Sequence, residues 1–415
     1  MMAASGNDWL LKNARLPNSA DLVDLTIQGT HVSSVGVNLL PPPGTKSLDL
    51  EGCLVVPGFV DAHMHLDKAY ALDAGLEPSD SLEEAIIDFM EWNANISMEQ
   101  LYKNARKVAE QALMHGTTTL RTHVTVDFPM GNQWLEMMAG LKQEMAPWLN
   151  MQLVIFAMTD LFEAQEGLAL IKEGLTDNQN LIGSAPARAA DPKKEINAIF
   201  ELAGESGCNI DVHIDESDDP GQNTLEYLAD RKLALGFEGI VTAGHCCSLS
   251  AREEAHAQRV IEKVAEAEIN IITLPSCNLY LMGRKDKGLV RRGLTRVKEL
   301  LAAGVNVSYA SDNIRDAFNP YGRADMLQQA LICGHALQWG TRSELQTLLQ
   351  MGTYNPAKAC GLPDYGLEAG CVASLVVLDD TIWGSAVARE ASRRYVFSHG
   401  RLVAETQPNQ HLLLN

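Results

Sequence analysis

The chain has 415 residues, 46% of them hydrophobic and 21% charged, the proportions of a folded globular protein rather than a disordered or fibrous one. Its 33 lysines and arginines stand against 53 aspartates and glutamates, and the net charge of −20 repels nucleic-acid backbones and anionic membrane surfaces. No run approaches the ~20 uninterrupted apolar residues of a membrane helix, residues 1–12 carry no basic-then-apolar leader, and the eight cysteines are scattered, so a reduced, cytoplasmic protein is expected.

Residues 21–27, 31–37 and 46–50 read as short strands separated by turns, leading to an apolar strand at 53–56. The next run, from Val56-Pro57-Gly58 to His63-Met64-His65-Leu66-Asp67, is β-favouring, and the spacing of two puts His63 and His65 on one face. Two imidazoles so presented make half of a divalent metal site; the alternative is a structural pair on a polar strand edge. Strand-like runs then alternate with amphipathic helices. Helices 82–93 and 98–115 lead to a strand at 118–124, helix 132–145 to 152–156, and helix 164–173 to 181–184. Helix 193–207 leads to 210–214, helix 224–235 to 240–243, helix 251–267 to 270–274, and helix 297–303 to 306–311. With the strand at 56–62 that makes eight, which predicts a (β/α)8 barrel carrying its chemistry at the C-terminal strand ends.

The basic stretch from Lys285 to Arg292 reads as a solvated loop near the active-site mouth. Beyond about residue 345 the β pattern returns, with a strand at 373–378 and a hairpin of 394–398 with 402–404. Residues 1–56 and 346–415 are therefore expected to form one small β-domain, and residues 57–345 the barrel.

Polar residues recur where the barrel strands end. Strand one ends in His63 and His65, strand two in Arg121-Thr122-His123, strand three in Met158-Thr159-Asp160, and strand five in His213 and Glu216. Strand six runs into Gly244-His245 and strand eight into Ser311-Asp312-Asn313. Three neutral imidazoles and a carboxylate, His63, His65, His213 and Asp312, suit one Zn²⁺ or Fe²⁺ with a position left for water. Such an ion lowers the pKa of its water towards neutrality, and Glu216 is placed to carry the proton. The alternative for Glu216 is a solvated place in the acidic run 215–219. His245 is either a further ligand or, as preferred, the group that polarises the developing tetrahedral centre. His123 divides between packing and lining the site. The small-fold zinc deaminase signature, H-x-E with P-C-x-x-C, does not occur, nor does a G-x-S-x-G elbow.

His63-Met64-His65, His213, His245 and Asp312, in that order on separate strand ends, resemble the amidohydrolase superfamily, most of all its cytosine deaminase branch. Arg121-Thr122-His123-Val124, Asp211-Val212-His213-Ile214-Asp215-Glu216 and the run from Arg292 to Glu299 extend the similarity over nearly the whole chain. The resemblance implies a (β/α)8 TIM barrel flanked by a β-sandwich from both chain ends. It also implies one metal ion on His63, His65, His213 and Asp312, with Glu216 as proton shuttle and His245 beside the reacting oxygen. Strand four ends Leu181-Ile182-Gly183-Ser184 without the bridging lysine of two-metal relatives, which implies a mononuclear site. Cytosine deaminases carry glutamine at Met158, a second aspartate at Asn313 and tryptophan at Phe318. Lys68 and the run from Ala310 to Asp316 instead look like the N-isopropylammelide amidohydrolases of s-triazine breakdown.

The expected function is hydrolytic deamination of cytosine or a related nitrogen heterocycle, with release of ammonia. Catalysis is assigned to Glu216, His245 and Asp312, and substrate contact to Lys68, His123, Met158, Asn313 and Phe318. Two alternatives stay open: an alkylamine-releasing or cyclic-amide amidohydrolase, and a non-catalytic barrel retained for binding. A small heterocycle is the expected partner, with no nucleic acid or membrane, and the chain is expected to self-associate.

Overall fold

The computed structural model describes residues 8–17, 19, 21–176 and 180–407. The chain opens with β1 (Trp9–Ala14), β2 (Val23–Gln28), β3 (His31–Gly36) and β4 (Lys46–Asp49), a sheet of order β3-β2-β1-β4. The sequence reading missed β1, whose polar Lys12 and Asn13 interrupt the alternation. Next come β5 (Leu54–Pro57) and β6 (Phe59–Met64), and then the barrel strands β7 (Thr117–Val126), β8 (Asn150–Ala157), β9 (Asn180–Gly183), β10 (Ile210–Ile214), β11 (Val241–His245), β12 (Asn270–Thr273) and β13 (Val307–Tyr309). Strands β6 to β13 form an eight-stranded sheet, parallel and in chain order. It closes where Met64 bridges Asp312, the Asp312 N–H donating to the His63 carbonyl at 2.9 Å. The predicted (β/α)8 barrel is therefore present.

The helices are α1 (Leu82–Asn93), α2 (Met98–Met114), α3 (Gln133–Met145), α4 (Gln165–Leu175), α5 (Pro192–Ser206), α6 (Thr224–Leu235), α7 (Glu254–Glu266), α8 (Pro275–Leu281) and α9 (Val297–Ala302). They continue with α10 (Met326–Leu337), α11 (Arg342–Met351), α12 (Tyr354–Ala359) and α13 (Trp383–Ala388). The sequence reading did not predict α8 or α10–α13. Helix α10 is apolar on most sides, so it lacks the 3.6-residue alternation that marks a surface helix. Helix α12 packs on β6 and β13.

Strands β14 (Leu375–Leu378), β15 (Arg393–Ser398) and β16 (Arg401–Glu405) join β5 in an antiparallel sheet of order β16-β15-β14-β5. Its strands alternate between two cores, as the two-residue side-chain period requires. Leu54, Val56, Val376, Leu378 and Val396 face the barrel core. Val55, Leu375, Val377 and Phe397 face Leu11, Leu25 and Ile27 of the first sheet, so the two four-stranded sheets share one core. This sandwich is made from both ends of the chain.

Candidate active site

Strand ends bring four donors together. One ring nitrogen each of His63, His65 and His213 and one oxygen of Asp312 lie within 4.8 Å of one another. The Nε2 atoms of His65 and His213 approach to 3.1 Å, and Asp312 Oδ1 lies 3.6 Å from His63 Nε2 and 3.4 Å from His65 Nε2. All four side chains are buried. Burial and the neighbouring cationic forms hold the three histidines well below their usual pKa, so the rings are neutral. Burial pushes Asp312 up to about 7. Both ring nitrogens of His63 and both oxygens of Asp312 are buried without a hydrogen-bond partner among the described residues. A divalent cation supplies what such a set lacks, and neutral imidazole with carboxylate is the donor chemistry of zinc and ferrous iron. The residues present fit a metal ion.

Local backbone explains the convergence. His245 and Asp312 adopt left-handed φ of 68° and 59°, at the end of β11 and just past β13, which turns both side chains off their strands. Gly244 lets His63 in, because a Cβ there would sit 2.9 Å from His63 Cε1 and 3.0 Å from Nδ1. Beneath the donors, Arg121 Nη1 lies 2.6 Å from Asp211 Oδ2, and Asp211 Oδ1 faces His123 Nε2 at 3.5 Å and His63 Nδ1 at 4.0 Å.

The acidic run divides into separate roles. Asp215 is buried and accepts from the Thr224 backbone N–H and hydroxyl and from the Leu225 N–H, holding the start of α6. Glu216, on the turn so fixed, places Oε1 3.3 Å from His245 Nδ1. Burial, with Asp312 nearby, raises the Glu216 carboxyl well above its ordinary pKa. His245 is held down to about 3 by burial, and Asn278 Nδ2 lies 3.0 Å from its Nδ1. The tautomer in which Nδ1 accepts from that amide carries the ring proton on Nε2.

A cavity of about 180 Å³ opens over these groups. Lys68, Met158, Asn313 and Phe318 line it, together with His65, His213, Glu216 and His245. Lys68 is buried, its ammonium 3.1 Å from Asp67 Oδ2, 2.8 Å from Thr125 Oγ1 and 4.7 Å from the Phe89 ring centre. Asn313 donates to Asp316 at 2.7 Å, and Asp316 accepts the Phe318 N–H at 2.9 Å, so one turn sets both wall residues. His123 lies behind the wall, its ring 4.1 Å from that of His63. Sequence reasoning missed Phe156, Arg188 and Asn278. Arg188 follows β9 closely enough for the strand-end rule to have flagged it; Asn278 carried no such signal. The loop from Lys285 to Arg292 is tethered where Arg291 Nη1 donates to the Asp218 carbonyl at 2.6 Å, two residues past Glu216.

The amidohydrolase family profile matches residues 46–141 and 127–404. The chain belongs to the amidohydrolase family. It is 31% identical to a pterin deaminase of Rhizobium rhizogenes, over 89% of this chain and 84% of that one. It is 29% identical to the N-isopropylammelide isopropyl amidohydrolase of Pseudomonas sp. strain ADP, over 96% and 98%. The crystal structure of 5-methylcytosine deaminase from Klebsiella pneumoniae liganded with 5-fluorocytosine superimposes with a TM-score of 0.90 at 29% identity, covering 97% of this chain and 99% of that one. The family is metal-dependent, and these relatives are named as deaminases or amidohydrolases of nitrogen heterocycles.

Proposed function

We propose that this chain is a hydrolytic deaminase of a cytosine-like, pterin-like or related heterocycle, replacing a ring amino group by oxygen and releasing ammonia. His63, His65, His213 and Asp312 would hold one divalent ion, Zn²⁺ or Fe²⁺. When bound, that ion makes water a nucleophile near neutral pH and polarises the bond under attack. Glu216, beside His245 on the cavity wall, accepts a proton as water adds to the amino-bearing carbon and returns it to the ring nitrogen. His245, with its proton on Nε2, donates to the oxygen as negative charge develops. Glu216 takes the second proton from the added hydroxyl and passes it to the amino group, the carbon–nitrogen bond breaks as the carbon–oxygen double bond forms, and ammonia leaves. Phe156 and Phe318 flank the ring, Lys68 offers a cation to a ring carbonyl, and Asn313 offers an amide to the ring edge.

The observation that carries this reading is Glu216 Oε1 at 3.3 Å from His245 Nδ1, both on the wall above the four-donor cluster. Glu216→Gln should retain its metal and fold yet lose on the order of 10²–10⁴-fold in kcat, as removal of a general acid–base does. Coupled ammonia assay over cytosines, pterins and aminotriazines, with metal analysis of each preparation, makes the test. Full turnover by a metal-loaded Glu216→Gln enzyme overturns the role.

A second reading is favoured by one feature: Leu82, Ile86, Met90 and Met158 give the cavity an apolar side. That side suits an N-alkyl substituent and an alkylamine leaving group. Alkylamine release exceeding ammonia release on matched substrates decides for it.

A further inference from the structure

A second lobe adjoins the cavity. It measures about 260 Å³ and shares Leu82, Ala185, Arg188, His213 and Glu216 with the first. Glu83, Ser217 and Gln222 complete its polar walls, whereas Ile86, Phe89 and Phe156 make the inner lobe apolar. The combined space is larger than a single planar ring needs and differs in polarity along its length.

Arg188 stands where the lobes meet, in the short turn Pro186–Arg188 that follows β9. Its guanidinium makes no hydrogen bond or ion pair among the described residues, although this chain carries an excess of twenty acidic charges. Glu83 lines the same lobe and forms no ion pair with it within 4.0 Å. Guanidinium presents a planar fork of donors that matches a carboxylate bidentately. Arg188 is exposed at the mouth of the site, where its charge acts on the Glu216 carboxyl and its fork has no side-chain hydrogen-bond partner among the described residues, so an anion carried by the ligand meets it there.

We infer that the substrate carries an anionic substituent, of carboxylate type, that leaves the inner lobe and is held by Arg188 in the outer one. This rests on the reading above that the inner lobe takes the heterocycle and deaminates it. The ring lies among Phe156, Phe318 and Lys68, and the substituent points past Glu216 to solvent. Arg188 thereby selects among aminated heterocycles without touching the reacting carbon. Glu83, a like charge on the same lobe, weakens the attraction, so its removal strengthens it.

The test uses the zinc-loaded full chain and matched heterocycle pairs that differ only in a carboxylate-bearing or neutral substituent. Wild type should prefer the acidic member. Arg188→Gln should lose on the order of 10–100-fold more in kcat/KM on it than on the neutral member, the value of one charge-assisted bidentate contact, because the loss of a charge near Glu216 falls on both members alike. Arg188→Lys should recover part of the loss. Glu83→Gln should raise kcat/KM on the acidic member by about two- to fivefold, and less so at high salt. Equal losses on both members, or no effect of Arg188→Gln on either, overturn the inference and leave the deaminase reading standing. Absence of turnover with every heterocycle fails the deaminase reading instead. In that case calorimetric binding of the same pairs decides, and equal affinity of wild type and Arg188→Gln for the acidic member overturns the role of Arg188.

Discussion

Glu195 offers a stability test whose sign follows from burial. The side chain lies on α5, 3% exposed, with Oε1 accepting the Ser184 hydroxyl at 2.6 Å and Oε2 without a partner. Ser184 matters because its carbonyl accepts the His213 N–H at 2.9 Å, so the carboxyl braces the strand end that carries a donor of the cluster. Burial, with Glu163 nearby, moves the carboxyl from 4.5 up to about 7. A raised carboxyl means that the folded chain binds the proton more tightly than the unfolded chain. Stability is therefore unaffected below pH 4.5, falls as pH rises from 4.5 to about 7, and is level above that. At about 1.4 kcal/mol for each pH unit between the two values, the ceiling on the loss is ~3 kcal/mol. Glu195→Gln keeps an acceptor for Ser184 and removes the charge, but it places an amide where Oε2 has no partner. That costs the same amount at every pH, leaving an expected ~1–2 kcal/mol in favour of the variant at pH 8.5 and about 1–2 kcal/mol against it at pH 4.5. In a chain this long the gain amounts to roughly 1–4 °C in Tm. Thermal melts of both proteins, metal-loaded, at four pH values between 4.5 and 8.5 give the difference, from which other titrating groups cancel. A variant that is less stable at pH 8.5, or whose advantage does not change with pH, refutes the reasoning.

Gly244→Ala puts a methyl 2.9 Å from His63 Cε1, so the ring must shift. Metal affinity, measured by competition with a chromogenic chelator, should fall on the order of 10–100-fold, as when a partner that orients a ligand is lost; unchanged affinity counts against His63 as a ligand. Asn278→Ala removes the donor to His245 Nδ1 and frees the ring to take the other tautomer. It should lower kcat by about tenfold or more with metal content unchanged, whereas Asn278→Asp, an acceptor at the same place, should not restore it. A change confined to KM would show that Asn278 acts on binding rather than on the tautomer.

Much of the cluster was legible because strand geometry is periodic. His63 and His65 share a face by the rule of two, and His213, His245 and Asp312 follow from asking what ends each apolar run. His65 lies just past the end of β6 and still converges, since Leu66 N–H donates to Thr122 Oγ1 at 2.9 Å and holds the chain in line. The run 215–219 could not be resolved from composition, because Asp215 and Glu216 differ only in what the fold brings to them: a helix start for one, an imidazole for the other. Asn278, on α8, was illegible for the same reason, as its partner lies 33 residues away at the end of β11. Helix α11 had a signal that went unread. Thr341 and Glu344 form a reciprocal capping box, the spacing that marks a helix start. The wall residues Phe156 and Phe89 were invisible as site residues because aromatic groups on strands and helices usually fill cores.

The underside of the site bears on where an ion would sit. His63, His123 and Asp211 form a second group of possible ligands, equally buried and sharing one histidine with the first. The first group offers four donors and the second three, and charge separates them further. Asp211 Oδ2 is 2.6 Å from Arg121 Nη1, and Arg121 is wholly buried, held also by Gln152 Oε1 and the Ala359 carbonyl. A divalent cation at Asp211 would face that fixed guanidinium, and burial leaves little water to screen the repulsion. Asp312 has no cation paired with it among the described residues, and its two oxygens lack donors. The upper group therefore attracts a cation, and the lower one repels it while presenting Asp211 Oδ1 to His63 Nδ1. Arg121 thus keeps Asp211 as an orienting partner beneath the ligand rather than a competing ligand.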